Sequence, residues 1–269
     1  LAREILGRGS LFGRFDSEPI EPLTGYFGAE LTHKTAQYYQ ASLTEEIAPV
    51  IAERCGGNPF YITAVIRQAA KQKKALKDEQ TLNAMLAVDL SSGFIWNELS
   101  DQVNRWVERI NDYGITKWIL YLSALEEGNE IDIKRIQQEL KERDNQAVSI
   151  ERIKSVLIKL SRGDLIDYKE FGGWFGKIND PILLDFLKVW GRIEVEKQDR
   201  GRVRDELRQN YSNLKRQVSE LKGYLAEVYM AQILLNAQRQ SLPGEYFHQS
   251  EQVAIPYFTY VRLRERLGP

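Results

Sequence analysis

The stretch "CGGNPFYI", residues 55–62, limits this chain more than any other. A helix-like run ends at Cys55, two glycines follow, and Asn-Pro opens a second apolar run. Gly56 or Gly57 supplies the left-handed residue that closes a helix without a Cβ penalty. Asn58 is then the predicted N-cap of the next helix. Pro59 sits at its first position, where a missing N–H costs nothing. That helix is expected to run to about Lys74. The chain therefore has a tight corner between two helices, pinned by four residues of special conformation.

The flanking pattern is also helical. Residues 25–39 read as a helix. Ser42-x-x-Glu45 reads as a capping box that starts a helix near 43, with Pro49 kinking it or pushing its start later. "KQKKALKDEQ" (71–80) reads as a polar connector. Residues 94–112 form an amphipathic helix carrying Trp96, Val103, Trp106 and Ile110, and Gly114 breaks it.

Residues 115–190 have a rhythm of their own. "ITKWILYLSALEEG", "IDIKRIQQELKER" and "SIERIKSVLIKLSRG" are three helices, the last capped by Ser149 with Val148 and Ile153 as a hydrophobic staple. "LIDYKE" and "WFGKI" are short strands around Gly172-Gly173. "DPILLDFLKVW" is a closing helix with Pro181 at its start. Three helices, a hairpin and a closing helix make a winged helix. Beyond 191, Leu207, Tyr211, Leu214, Val218, Leu221, Leu225 and Val228 alternate steps of four and three, a heptad seam expected to pack on another helix. "SLPGEYF" breaks it, and "QVAIPYFTYVRLR" is a candidate strand.

Composition excludes several classes. With 43% apolar and 28% charged residues the chain reads as an ordinary globular protein. A formal net charge of -1 gives no global attraction to nucleic acid or an anionic membrane. Cys55 is the single cysteine, so intramolecular disulfides and cysteine-rich metal sites are excluded. His33 and His248 are far apart in sequence, and no metal site is expected. No apolar run approaches the ~20 residues of a membrane helix, and no signal segment opens the chain. A cytoplasmic location and no membrane partner are the expectation.

The winged-helix segment offers a candidate DNA surface: Arg152, Lys154, Lys159 and Arg162 on its third helix, Lys169 and Lys177 on the wing. Its charge argues against a dedicated reader. Residues 115–190 carry 12 Lys and Arg against 13 Asp and Glu, whereas DNA-binding modules draw affinity from a basic surface. A spacer, or a surface that packs on its neighbours, is the preferred reading.

In order and spacing, "GSLFGRFDSEPIEPL", "ERCGGNPFYITAVIRQ" and "GKINDPILLDFL" resemble the archaeal and bacterial P-loop ATPases of the AAA+/STAND group that carry a C-terminal winged helix. The resemblance covers about residues 1–190. It implies a mainly α fold: a helical AAA+ lid, a winged-helix domain, and a long C-terminal helical region that in some relatives leads into a nuclease-like α/β domain. It divides the chain into the end of the ATPase core (1–24), the lid (25–112), the winged helix (113–190), a long helical segment (191–240) and the start of a C-terminal domain (241–269). "SEPIEPL" would be the last core strand. Gly57, Asn58 and Pro59 would lie against the adenine of a nucleotide held by a core that precedes Leu1. Arg14 matches the position of an arginine finger acting in trans on a γ-phosphate, which requires a homo-oligomer; Arg8 is the weaker alternative.

ATP or ADP with Mg is thus expected in the parent protein, and none in this stretch alone. Nowhere in 1–269 is there G-x-x-x-x-G-K-[ST], and no apolar strand ends in a Walker B Asp-Glu pair, so ATP hydrolysis by this stretch alone is not expected. Glu227 matches an acidic position of nuclease-like relatives. The Asp and Glu-x-Lys of a metal site do not follow it, and it reads as a solvated glutamate. The resemblance implies the C-terminal portion of an ATP-binding ATPase that couples nucleotide state to a DNA or protein partner. The alternative is a non-enzymatic winged-helix module that binds DNA or protein.

Overall fold

A computed structural model describes residues 21–110, 112, 114–169, 172–178 and 180–257, with the side chains of 214–219 left out. Arg14, Arg8 and most of the expected last core strand lie outside the described residues. The chain forms two compact units, Leu1–Leu207 and Arg208–Pro269. Among the described residues it is mainly α-helical, with only short strands.

The first unit opens with three helices, α1 (Gly25–Tyr39), α2 (Ile47–Arg54) and α3 (Pro59–Gln72). α1 packs on both of the others. The corner takes the expected form, with both glycines left-handed: Gly56 at φ 58° and Gly57 at φ 67°. The Asn58 side chain accepts a hydrogen bond from the Phe60 N–H at 2.9 Å.

The start of α2 differs from expectation. Ser42 and Glu45 form no capping box, and the helix starts at Ile47 with no side-chain cap. The Ser42 carbonyl instead accepts from the Leu76 N–H (2.8 Å), and the Leu76 carbonyl accepts from the Thr44 N–H (3.1 Å). This short backbone bridge between Leu43 and Leu76 keeps 42–44 extended. Glu45 meets His33 at 3.3 Å. Pro49 falls in the first turn of the shifted helix, where no intrahelical N–H donor is needed.

Within the polar stretch 71–80, Asp78 begins a new helix. α4 (Glu79–Ser92) is opened by a reciprocal box between Asp78 and Thr81, with Thr in the place usually taken by Glu or Gln. α5 (Phe94–Ile110) buries Ile95, Trp96, Leu99, Val103, Val107 and Ile110, a stripe at spacings of three and four. Its cap comes from the preceding helix: one carboxylate oxygen of Asp89 accepts from the N–H groups of Phe94 and Ile95. The other oxygen is buried without a partner.

There follow α6 (Ile115–Ala124), α7 (Ile133–Arg143) and α8 (Ile150–Ser161), then β1 (Asp167–Lys169), antiparallel to β2 (Trp174–Gly176). A third edge is added by Glu130–Ile131: the Ile131 N–H donates to the Phe175 carbonyl at 2.8 Å. Ser149 caps α8 through the Arg152 N–H, with Val148 and Ile153 both buried. α9 (Pro181–Trp190) closes the arrangement, and the chain continues as one π-turn, Gly191–Val195. A side chain at Gly191 would overlap the Tyr121 ring. α9 packs on α4, α5 and α6, and its Phe186 ring lies 5.6 Å from Trp96. Phe186 and Trp190 are fully buried. Burying a side chain of Phe size is worth about 1.5–3 kcal/mol, so α9 ties the two halves of the first unit into one core.

α10 (Arg200–Asn236) crosses the boundary between the units. In the second unit, β3 (Ser241–Leu242) pairs antiparallel with β4 (Val253–Ala254), and Ala237, Gly244 and Ile255 are buried. Leu221 and Leu225 of the heptad seam are exposed.

Burial raises the Asp89 carboxyl to about 7, against the opposing pull of its backbone donors, Lys71 and Arg67. In the unfolded chain such a group titrates near 3.9. Between these values the folded protein holds a proton that the unfolded chain has released. Stability therefore falls as pH rises from about 4 to about 7 and levels off above that. Asp89→Asn retains the acceptor for the Phe94 N–H, and urea unfolding across this window is expected to show that component of the slope abolished.

Candidate functional site

The corner at 56–59 is held from two sides and open on a third. On the first side, the chain entering α1 runs across it. The Leu23 N–H donates to the Gly57 carbonyl at 3.0 Å, and a side chain at Gly57 would overlap the Leu23 backbone. Gly57 is buried there, and its φ favours glycine as well. Close approach of Gly28 to Ala52 brings the first turn of α1 to the same end of the bundle.

The second side is formed by the start of α9. A Cβ at Gly56 would touch the Pro181 ring at 3.4 Å. The Tyr61 hydroxyl donates to one oxygen of Asp180 at 2.9 Å, while the other oxygen caps α9 through the N–H groups of Ile182 and Leu183 at 2.9 Å each. One turn further on, Arg54 meets Asp185 at 2.6 Å. Two corners of one design, Asn58-Pro59 and Asp180-Pro181, thus face each other, each with a capping side chain followed by proline. Burial, with Asp180 adding to it, holds the Tyr61 hydroxyl well above the usual tyrosine range, so it stays a donor. Burial also pushes the Cys55 thiol up to about 12.

The third side is solvent. Pro59 is exposed and Phe60 is 40% exposed. At the same end of the bundle, Tyr26 and Phe27 in the first turn of α1 are 74% and 55% exposed. The Tyr26 and Phe27 rings meet edge to face at 5.3 Å, and Phe60 meets Tyr61 at 5.6 Å. Tyr61, Arg54, Asp180 and Asp185 were not singled out in the sequence. The repeat of Asn-Pro and Asp-Pro at two helix starts is the signal that marks them.

The candidate DNA-contacting cations are not brought together as a free surface. Arg152 is ion-paired with Asp112 at 2.7 Å, and Lys169 with Asp167 at 2.6 Å. Lys177 is half-buried; burial, with Lys188 reinforcing it, lowers its ammonium below the usual lysine range. Lys159 is half-buried, while Lys154 and Arg162 are exposed. Glu227 lies on α10 and is exposed. Among the described residues no cluster of His, Cys, Asp and Glu could hold a metal ion, and no helix is long and apolar enough to cross a membrane.

No protein-family model matches the chain, and no curated protein matches it significantly. Among solved structures it is similar to a Walker-type ATPase of Pyrococcus abyssi, with 18% identity and a TM-score of 0.46 over 69% of this chain and 48% of that one. The chain thus spans about half the length of that ATPase.

Tyr61→Phe removes the bond to Asp180 and leaves the ring in place. A hydrogen bond to a charged group is worth about 1.5–3 kcal/mol, so a loss of stability within that range is expected in urea unfolding. A double-mutant cycle on Arg54 and Asp185 should return a favourable coupling of about 1 kcal/mol that shrinks with added salt.

Proposed function

We propose that this chain is the lid and C-terminal portion of an ATP-binding ATPase of the AAA+/STAND kind. In this reading residues 25–112 are the lid and 113–190 a winged helix, and the two pass nucleotide state to a partner. One observation carries the reading: the Gly56-Gly57-Asn58-Pro59 corner is open on one face and clasped to the start of α9 on another.

The open face suits a nucleotide base. Pro59 offers a flat apolar surface with no competing donor. Phe60, Tyr26 and Phe27 add exposed aromatic area nearby, and the partial positive charge at the α3 N-terminus favours an adjacent anionic group. ATP and Mg would be held by a P-loop core preceding Leu1, and Arg14 would reach the γ-phosphate of a neighbouring subunit. The clasped face supplies the coupling. A corner that shifts when nucleotide binds carries Pro181, Asp180 and Asp185 with it, and so moves α9 against the rest of the winged helix. A two-state element of this kind is the physical requirement for transmitting a signal.

A second reading is a non-enzymatic winged-helix module that binds DNA or protein. It is favoured by the absence of Walker motifs from residues 1–269. The two part company in the parent protein. Under the first, ATP binds, and Pro59→Ala with Phe60→Ala weakens binding by about tenfold, the value of 1.4 kcal/mol of lost contact, as read by calorimetric titration. Unchanged ATP affinity in that variant, or a parent protein that binds no nucleotide, overturns it.

A further inference from the structure

A single residue, Gly93, separates α4 from α5. Asp89, in the last turn of α4, fills this joint and is fully buried. Its Oδ1 accepts from the N–H groups of Phe94 and Ile95, while its Oδ2 is buried with no partner among the described residues. A Cβ at Gly93 would overlap the carboxylate, so the chain closes directly onto it. The Phe94 ring in turn bears the two cations of α3. The Arg67 guanidinium lies 4.0 Å from the ring centre and the Lys71 ammonium 5.6 Å. Arg67 and Lys71 are both exposed, which leaves their side chains room to re-aim.

A buried oxygen without a donor costs far more on a charged group than on a neutral one. Burial delays the ionisation of Asp89 to about pH 7. Once ionised, the carboxylate is satisfied by backbone N–H groups on one oxygen alone. Few surrounding groups could answer the other. The rest of α4 holds one more ionisable side chain, Glu79, at its opposite end. α5 opens with Phe94-Ile95-Trp96-Asn97, none of them charged. On α2, Glu53 is exposed and Arg54 is paired with Asp185 of α9, and the Cys55 thiol that follows is held un-ionised. The other charged groups of α9 are Asp180, which caps that helix and takes the Tyr61 hydroxyl, and Lys188, which repels Lys177. Arg67 and Lys71 are left as the cations that favour the charged form of Asp89.

We propose that Asp89 and Arg67 form a proton-operated latch on the joint between α4 and α5. With the carboxyl neutral, the guanidinium rests on the Phe94 ring. With it ionised, the guanidinium leaves the ring and pairs with Oδ2, and the released proton goes to solvent. The balance favours the move because an exposed cation–π contact is weak, whereas an unpaired charge in a desolvated site draws a counter-ion strongly. Arg67 suits the role better than Lys71. It lies closer to the ring of the residue that caps onto Asp89, its planar fork matches a carboxylate, and it is the more weakly hydrated cation. Since Arg67 belongs to α3, the proton state of the joint is read on the helix that begins at the Pro59 corner. The inference does not depend on what that corner binds.

The test follows the carboxyl carbon shift of Asp89 and the guanidinium nitrogen shifts of Arg67 by NMR of the whole chain, from about pH 5 to about pH 9. Both are expected to move with one midpoint. Arg67→Gln should raise the Asp89 midpoint by about one pH unit, a tenfold change in proton affinity, and Lys71→Gln should raise it less. Phe94→Leu keeps the backbone donor, releases the guanidinium from the ring, and should lower the midpoint. Asp89→Asn should hold the Arg67 signal constant across the range. If that variant loses its circular dichroism signal, the Arg67→Gln and Phe94→Leu midpoints decide. An Arg67 signal that ignores the Asp89 titration overturns the proposal, as does an unchanged midpoint in Arg67→Gln. A larger shift in Lys71→Gln than in Arg67→Gln also overturns it and makes the ammonium the counter-ion.

Discussion

The first unit depends on one contact between two helix starts. Asp180 caps α9 with one carboxylate oxygen and takes the Tyr61 hydroxyl with the other. Each acceptor bond satisfies a donor that the fold has withdrawn from water, and an unmet donor there costs about 1–3 kcal/mol. Because the same carboxylate serves both helices, the position of α3 and the start of α9 are set together. Gly56 lies close beside Pro181, where an added Cβ would come into ordinary contact with the ring at 3.4 Å. Arg54 and Asp185 fix the rotation one turn along. Behind this polar seam, Phe186 and Trp190 supply the apolar area that holds α9 down on α4, α5 and α6.

The charges of the hairpin end follow a different logic. Arg152 and Lys169 sit beside carboxylates, and Lys177 is drawn into partial burial. A cation that already has a partner, or that has left water, gains less from a phosphate than a free one does. Of the six expected phosphate contacts, Arg152, Lys169 and Lys177 are thus weakened by their surroundings, while Lys154 and Arg162 stay exposed. Lys134 and Lys141 on α7 are exposed.

Much of the architecture was legible because local chemistry and tertiary packing agree. Asn58-Pro59, Ser149 and Asp180-Pro181 each announce a helix start, and each start is where the sequence puts it. Gly56 and Gly57 both take the backbone that only glycine adopts cheaply. Ser42-x-x-Glu45 misled because a tertiary bond outbid a local one: pairing with Leu76 holds 42–44 extended, which a capping box cannot tolerate. The helix at 79–92 was hidden by the charged run before it and by a box built on Asp and Thr. Of the site, the corner was legible and its clasp was not. Tyr61 lies 119 residues from Asp180, and no periodicity within either segment reports that they meet. The cap of α5 by Asp89 was hidden for a similar reason, since its donor groups belong to the next helix.

Cys55 closes α2 directly before the corner, almost fully buried and with its thiol held far from ionisation. Thiolate, not thiol, reacts with alkylating reagents and oxidants. In the closed arrangement this sulfur is therefore silent, and as the single cysteine of the chain it has no competitor. Any motion that parts α2 from its neighbours hydrates the sulfur and restores its reactivity. The rate at which Cys55 is alkylated therefore reports how often the surrounding packing exposes it.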